Sequence, residues 1–125
     1  MTEVGEVIRL YGAAWLEPGD ARRAELLQRA WADDGVYTDP TARVEGRDAL
    51  VAHIAGFAER LPGHRIVLTT GVDAHGPHVR FGWRMLGPDG AAVLDGMDYG
   101  ELGPDGRLVR IVGFFGPFPA PAGEG

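Results

Sequence analysis

The stretch W-A-D-D-G-V-Y-T-D-P, from Trp31 to Pro40, decides how this chain is expected to fold. We expect the D-D-G segment, Asp33 to Gly35, to form a turn that ends a helix and begins a short strand. A residue before proline is restricted to extended backbone, so Asp39 should lie at the end of that strand. The stretch therefore predicts an acidic side chain held at a strand end rather than in a helix.

Two helices are predicted before this stretch and one after it, because apolar residues recur there at helical spacing. Their expected spans are residues 3–16, 20–32 and 47–61. Pro18-Gly19 ends the first helix, Asp20 is a candidate N-cap for the second, and Pro62-Gly63 ends the third. A second short extended run, through Val44 and Glu45, leads into the third helix.

The second half of the chain is predicted to consist of strands and turns. Two G-P-D-G segments, residues 87–90 and 103–106, are typical of hairpin turns, and A-H-G-P at 74–77 is a further turn. The expected strands are residues 64–73, 78–86, 91–102 and 108–115. Helices grouped against an antiparallel meander make an α+β domain, here a curved sheet wrapped around helices as a cone. We expect one domain over residues 1–116 and a loosely ordered Pro/Gly-rich tail over 117–125.

Side-chain alternation along the strand 91–102 predicts that Asp98 points inward. Its phase also holds Leu94 and Gly96, and is small and apolar apart from the aspartate. The opposite phase carries Asp95 and Glu101, which we expect to face outward. A β-bulge at one of the strand's glycines would reverse this inference.

Tyr11 lies in the middle of the apolar stripe of the first helix, so two carboxyl groups and a phenol are predicted to face one apolar interior. Buried acids are costly unless they have a partner or a use, and such a set is typical of proton transfer. The alternatives are structural: an Asx-type turn contact for Asp39, a hydrogen-bonded structural acid for Asp98, and a core phenol for Tyr11.

Composition excludes several classes of function. A formal charge of −6 argues against binding to nucleic acid or to an anionic membrane. Without cysteine there is no disulfide, thiolate nucleophile or thiolate-bound metal, and without lysine there is no Schiff base or P-loop. The four histidines have no recognised ligand spacing, so we expect neither a metal nor a cofactor; the pair His75 and His78 is interpreted as part of a solvated turn.

The sequence also gives expectations about cellular location and assembly. No apolar run approaches the roughly 18 residues of a membrane span, and no signal peptide is visible, so we expect a cytoplasmic protein. The high Gly, Ala and Arg content is typical of a GC-rich bacterial genome. Apolar residues occupy both faces of the last strand, which indicates a homodimer.

The chain resembles the NTF2-like superfamily over residues 4–116, and within it the Δ5-3-ketosteroid isomerases and the SnoaL-like polyketide cyclases. The pattern D-D-G-x-Y-x-D-P followed by E-G-R-D-A-L (Glu45–Leu50) is typical of the superfamily rather than of one activity. Three further patches resemble the isomerases: I-R-L-Y-G-A-A-W (Ile8–Trp15), G-M-D-Y-G-E-L (Gly96–Leu102) and V-R-I-V-G-F-F-G (Val109–Gly116).

The isomerase resemblance implies a set of roles. Asp39 would be the base, while Tyr11 and a protonated Asp98 would donate hydrogen bonds to the enolate oxygen of a small apolar carbonyl compound. Candidate substrate-binding residues are Trp83, Phe57, Phe115, Met85 and His53. Where the isomerases carry a supporting tyrosine on the third helix, this chain has His53 and Ile54.

Two alternatives stay open. A SnoaL-like cyclase or epoxide hydrolase would use Asp98 with Asp39 or His53 in support. A non-catalytic protein of this fold would use the same interior as a cup for an apolar ligand.

Overall fold

The computed structural model describes residues 3–123, in which three helices pack against one curved sheet that does not close. The helices are α1 (Val4–Leu16), α2 (Asp20–Ala30) and α3 (Arg47–Arg60). The strands are β1 (Trp31–Asp39), β2 (Ala42–Glu45), β3 (Arg65–Leu68), β4 (Asp73–His75), β5 (His78–Leu86), β6 (Ala92–Leu102) and β7 (Leu108–Phe115). The predicted α+β class is confirmed. The first two residues of the predicted domain and the last two of the predicted tail lie outside the described range.

The sheet has the order β2-β1-β7-β6-β5-β3, with β4 pairing to β5. Strands β5, β6 and β7 form the predicted antiparallel meander through the two G-P-D-G turns. Strand β1 lies parallel to β7, so the sheet is mixed. This pairing places Thr38 opposite Val112 and brings the end of β1 beside the middle of β7.

The predicted turn at Asp33–Gly35 is wrong, because α2 ends at Ala30 and these residues lie inside β1. The pairing register of β1 against β7 shifts between Trp31 and Val36, so the D-D-G segment lies at an irregularity within the strand. A Cβ on Gly35 would lie 2.5 Å from Trp31 Nε1. Glycine is therefore needed for the Trp31 indole to pack against this part of the strand.

The predicted strand over residues 64–73 is wrong in its bounds, because β3 covers only Arg65–Leu68 and β4 covers Asp73–His75, whose last two residues were predicted as part of the turn 74–77. Both strands pair with β5. Between them, the Thr69 N–H donates to the Gly82 carbonyl at 2.9 Å. The Gly82 N–H donates to Thr70 Oγ1 at 2.8 Å. A side-chain hydroxyl thus replaces a backbone acceptor in the ladder, and the strand is interrupted there.

The core lies between the helices and the inner face of the sheet. Helix α1 buries one side, which includes Val7, Ile8 and Tyr11. The Tyr11 ring stacks on Trp31 at 5.8 Å between centroids and meets Phe81 edge-on at 6.4 Å. These contacts fix the phenol deep in the fold. Of the helices in residues 3–123, none is long and apolar enough to cross a membrane.

Candidate functional site

A cavity of about 230 Å³ opens between α1, α3 and the inner face of the sheet. It is larger than the roughly 150 Å³ cavity that holds benzene in an engineered protein. Its lining is mainly aromatic and aliphatic, with a few polar groups. All eight residues singled out from the sequence line it: Tyr11, Asp39, His53, Phe57, Trp83, Met85, Asp98 and Phe115.

Asp98 occupies the middle of β6, between Phe81 on β5 and Gly113 on β7. Only 7% of its surface is exposed, and its Oδ1 accepts a hydrogen bond from Trp83 Nε1 at 3.0 Å. Burial raises the pKa of Asp98 to about 7, the Trp83 donor opposes the rise, and the charge of Asp39 adds to it. Asp98 therefore exchanges its proton near neutral pH.

Gly96 allows Trp83 to reach Asp98. The two residues Trp83 and Gly96 face each other across β5 and β6. A Cβ on Gly96 would lie 2.1 Å from Cζ2 of the indole, so any other residue would push the ring away. The indole lies over the bare backbone of β6 and directs its N–H at the aspartate two residues further on.

Asp39, at the end of β1, is half-buried and fully engaged by donors. Its Oδ2 accepts from the Tyr37 hydroxyl at 2.6 Å, and its Oδ1 accepts from the backbone N–H and the Oγ1 of Thr41, both at 2.7 Å. Burial acts to raise the pKa of Asp39, but the Tyr37 and Thr41 donors outweigh it and hold the pKa below its ordinary value. Asp39 thus makes the Asx-type contacts of the structural alternative and is also an ionised carboxylate on the cavity wall.

The two carboxyl groups are neighbours across Gly113. A Cβ built on Gly113 would lie 3.1 Å from Asp98 Oδ1 and 3.4 Å from Cβ of Asp39. Because residue 113 is glycine, no side chain separates the two acids at this point. One carboxyl is ionised and the other titrates near neutral pH, a difference typical of base and acid pairs.

Tyr11 presents a buried hydroxyl to the same end of the cavity. The residue is 2% exposed, and its hydroxyl has no hydrogen-bond partner among residues 3–123. Burial raises the pKa of Tyr11 well above its ordinary value, with Asp98 adding and the nearby Trp15 opposing. The phenol is therefore a neutral donor, and a buried donor left without an acceptor costs about 1–3 kcal/mol. A ligand oxygen would satisfy it.

His53 lies on α3 beside the other aromatic side chains of the cavity. Its ring is 5.3 Å from that of Tyr37 and meets Trp15 edge-on at 6.1 Å. Burial lowers the pKa of His53, Asp39 opposes this, and Arg60 adds to it. The imidazole is neutral at pH 7 and could accept or donate one hydrogen bond.

One pair of histidines lies outside the cavity. His75 and His78 flank the β4–β5 turn with ring centroids 5.3 Å apart, and His78 Nδ1 lies 2.6 Å from the Tyr99 hydroxyl. Over residues 3–123, the structure places no group of three or more His, Asp or Glu side chains where they could hold a metal ion.

The comparisons with known proteins agree with this architecture. Residues 8–111 match the family model of the SnoaL-like domain. The chain belongs to the SnoaL-like family. Among curated proteins, no sequence matches this SnoaL-like protein significantly.

Several solved structures are similar to this chain. One is a protein of the SnoaL-like family from Agrobacterium tumefaciens strain C58, provisionally described as an isomerase. It is 38% identical, with a TM-score of 0.84 over 89% of this chain and 95% of that one. A provisionally described polyketide cyclase from Sinorhizobium meliloti is 18% identical, with a TM-score of 0.68 over 86% and 92% of the two chains. An NTF2-like protein from Exiguobacterium sp. 255-15 is 15% identical, with a TM-score of 0.71 over 90% and 99%. The last two similarities show the fold alone.

Sequence reasoning missed several residues of this SnoaL-like site. Tyr37 and Thr41 hold Asp39, while Trp15 and Arg60 line the cavity. The signal for Tyr37 was present, since residues two apart in a strand share a face and Tyr37 precedes Asp39 by two. Nothing comparable in the sequence marks Arg60, which depends on where the end of α3 lies.

Proposed function

We propose that this SnoaL-like protein is an enzyme that moves a proton at the carbon beside a carbonyl group of a small apolar molecule. The observation that carries the proposal is the pair of acids across Gly113, one ionised and one titrating near pH 7, beside a buried phenol that lacks an acceptor. The similar Agrobacterium protein, provisionally described as an isomerase, supports it.

In the proposed reaction Asp39 accepts the proton from carbon and returns it to another carbon of the same molecule. Tyr11 and the protonated form of Asp98 donate hydrogen bonds to the carbonyl oxygen as it becomes an enolate. The aromatic walls exclude water, which strengthens both donors. Phe57, Trp83, Met85 and Phe115 hold the apolar body of the molecule, and His53 contacts its polar edge.

The donors around Asp39 restrict the substrate. Three hydrogen bonds lower the basicity of this carboxylate, so it removes only a proton that is already acidic. We therefore propose a carbon activated on both sides, between two carbonyl groups or between a carbonyl and a double bond.

A cyclase-like reaction is the second candidate, and the titration of Asp98 favours it. A group with a pKa near 7 is suited to take up and release a proton within one turnover. In that reaction Asp98 would move the proton, and Asp39 would be an anchored carboxylate that orients the ligand. The fold shared with the Sinorhizobium protein is consistent with this role but does not distinguish it.

The test uses 3-cyclohexenone, a β,γ-unsaturated ketone whose conversion to 2-cyclohexenone is followed by ultraviolet absorbance. We expect turnover by the wild-type protein and a loss of at least about a hundredfold in Asp39→Asn, because the base is removed. Asp98→Asn should retain more activity than Asp39→Asn, since it removes one of two oxyanion donors. Asp95→Asn is the matched control, because Asp95 lies on β6 but is paired with Arg84 outside the cavity.

Each alternative has its own outcome. Full activity in Asp39→Asn with complete loss in Asp98→Asn would favour the cyclase-like assignment. Saturable binding of the ketone without conversion, measured by ligand-observed NMR, would favour a ligand-binding protein and refute the enzymatic proposal.

We also propose a homodimer that covers the outer face of β6 and β7. Val93 and Phe114 are exposed on these strands, and antiparallel sheets usually bury only one apolar face. Light scattering should give twice the monomer mass, and Phe114→Asp should halve it.

A further inference from the structure

Arg60, the last residue of α3, lines the cavity and has no carboxylate partner among residues 3–123. Eight other arginines in residues 3–123 form ion pairs with Asp or Glu, and Arg60 is not among them. The chain has 18 acidic residues against 12 basic ones, so carboxylates are in surplus. The lack of a partner at Arg60 is a property of its position rather than of the composition.

The guanidinium of Arg60 folds back along α3 toward the cavity. A Cβ on Gly56, one turn earlier, would lie 3.0 Å from Nη1 of Arg60. Side chains on helices lean toward the N-terminus, and a glycine at this position leaves room for the planar group. Arg60 also adds to the lowering of the pKa of His53, after burial, so its charge is felt inside the cavity.

By exposure, the lining divides into a closed end, where Tyr11 and Asp98 are buried, and an open end of exposed residues that include Arg60. Tyr11 and Asp98 at the closed end are 2% and 7% exposed, whereas Leu68 and Phe115 are 40% and 37% exposed. Arg60 is itself exposed. The two proposed oxyanion donors therefore lie among the buried residues of the lining, and this cation lies among the exposed ones.

We propose that the natural ligand is an apolar carbonyl compound that ends in a carboxylate, and that Arg60 binds that carboxylate at the mouth. This assignment rests on the proposed function, because the carbonyl group must occupy the closed end. A guanidinium matches a carboxylate with two parallel hydrogen bonds. In a protein with a net charge of −6, a local cation is also needed to offset the repulsion that an anionic ligand meets.

The test compares two inert probes that differ only at the head group, 2-naphthylacetate and 2-naphthylacetamide. Neither is a ketone substrate, so binding is measured independently of turnover, by isothermal titration calorimetry. We expect the carboxylate to bind about three- to fivefold more tightly than the amide at low salt, as for an exposed ion pair. The preference should shrink as salt is added.

The variants are Arg60→Gln and Arg65→Gln. Arg65, on β3, is exposed, forms no ion pair within residues 3–123 and does not line the cavity, so it controls for net charge. We expect Arg60→Gln to bind both probes equally and Arg65→Gln to keep the preference.

Equal binding of the two probes by the wild-type protein, binding of neither, or a preference that survives Arg60→Gln would overturn the inference. A preference lost only in Arg60→Gln, in a protein that does not convert the ketone, would uphold the anion site while refuting the proposed enzymatic activity.

Discussion

Replacement of Asp98 by asparagine should make the folded protein more stable at pH 8. The pKa of Asp98 rises from its ordinary value of 3.8 to about 7 on folding, mainly through burial. One pKa unit corresponds to 1.36 kcal/mol, so the charged carboxylate lowers the free energy of unfolding by up to about 4 kcal/mol. Asparagine has a similar shape, carries no charge and keeps an oxygen for the Trp83 donor.

The sign of this effect depends on pH. The folded state holds the Asp98 proton more tightly than the unfolded state, so the free energy of unfolding falls as pH rises from about 4 to about 7 and is level above. The difference between Asp98→Asn and wild type should therefore be small near pH 4 and reach its largest value, at most about 4 kcal/mol, at pH 8.

Urea unfolding followed by circular dichroism at pH 4, 6 and 8 measures this difference. Asp95→Asn is the matched control. Hydrogen bonding to Arg84 lowers the pKa of Asp95, so loss of the Asp95 carboxylate should destabilise the protein slightly and equally at pH 6 and 8. A stability gain in Asp98→Asn that does not change with pH, or a loss at pH 8, would refute the account of Asp98 as a buried acid whose charged form destabilises the fold.

Three further substitutions address the chemistry of the site. Tyr37→Phe removes a hydrogen-bond donor from Asp39, so the pKa of Asp39 should rise, and the acidic limb of the pH–rate profile should move to higher pH. Gly113→Ala places a Cβ 3.1 Å from Asp98 Oδ1, between the two acids, and kcat should fall by about tenfold or more as the groups are displaced. Tyr11→Phe removes an oxyanion donor, so kcat should fall by about 10²–10³. It should leave the urea midpoint unchanged or higher, because the lost hydroxyl had no partner among residues 3–123.

Two substitutions away from the cavity serve as controls. Tyr99→Phe removes a hydroxyl bonded to His78 on the other side of the sheet, and Gly71→Ala adds a Cβ that meets nothing within 4 Å. Neither should alter the pH–rate profile or kcat. An unchanged profile in Tyr37→Phe, or full activity in Gly113→Ala or Tyr11→Phe, would contradict the corresponding role.

The parts of the fold that the sequence predicted depend on local signals. Hairpin turns and the alternation along β6 are properties of neighbouring residues, which is why the inward direction of Asp98 could be inferred. The parallel pairing of β1 with β7 joins segments far apart in the chain, and no local pattern specifies it. The break between β3 and β4 coincides with a hydrogen bond from the Gly82 N–H to the Thr70 hydroxyl, which no local pattern marks either.

Part of the lining of the candidate site was predictable from the sequence, but most of its hydrogen bonds were not. The apolar phase of β6 and the apolar stripe of α1 place Asp98 and Tyr11 in the interior. The two donors of Thr41 to Asp39, in contrast, depend on how the chain turns after Pro40. Arg60 could not be recognised either, because the absence of an ion-pair partner within the described part of the chain is a property of the folded surface.

The opposite behaviour of the two carboxyl groups follows from their positions along their strands. Asp98 lies mid-strand, where the neighbouring backbone N–H groups serve the ladders to β5 and β7, and its one hydrogen-bond donor within residues 3–123 is the Trp83 side chain. Asp39 ends its strand, where the Thr41 N–H is directed at the carboxylate. A sheet of this form therefore produces one protonatable and one ionised acid from the same residue type. Moving Asp39 one position back along β1 would place its side chain on the other face of the sheet. The cavity would then lose its carboxylate charge, and Asp98 would lose its charged neighbour.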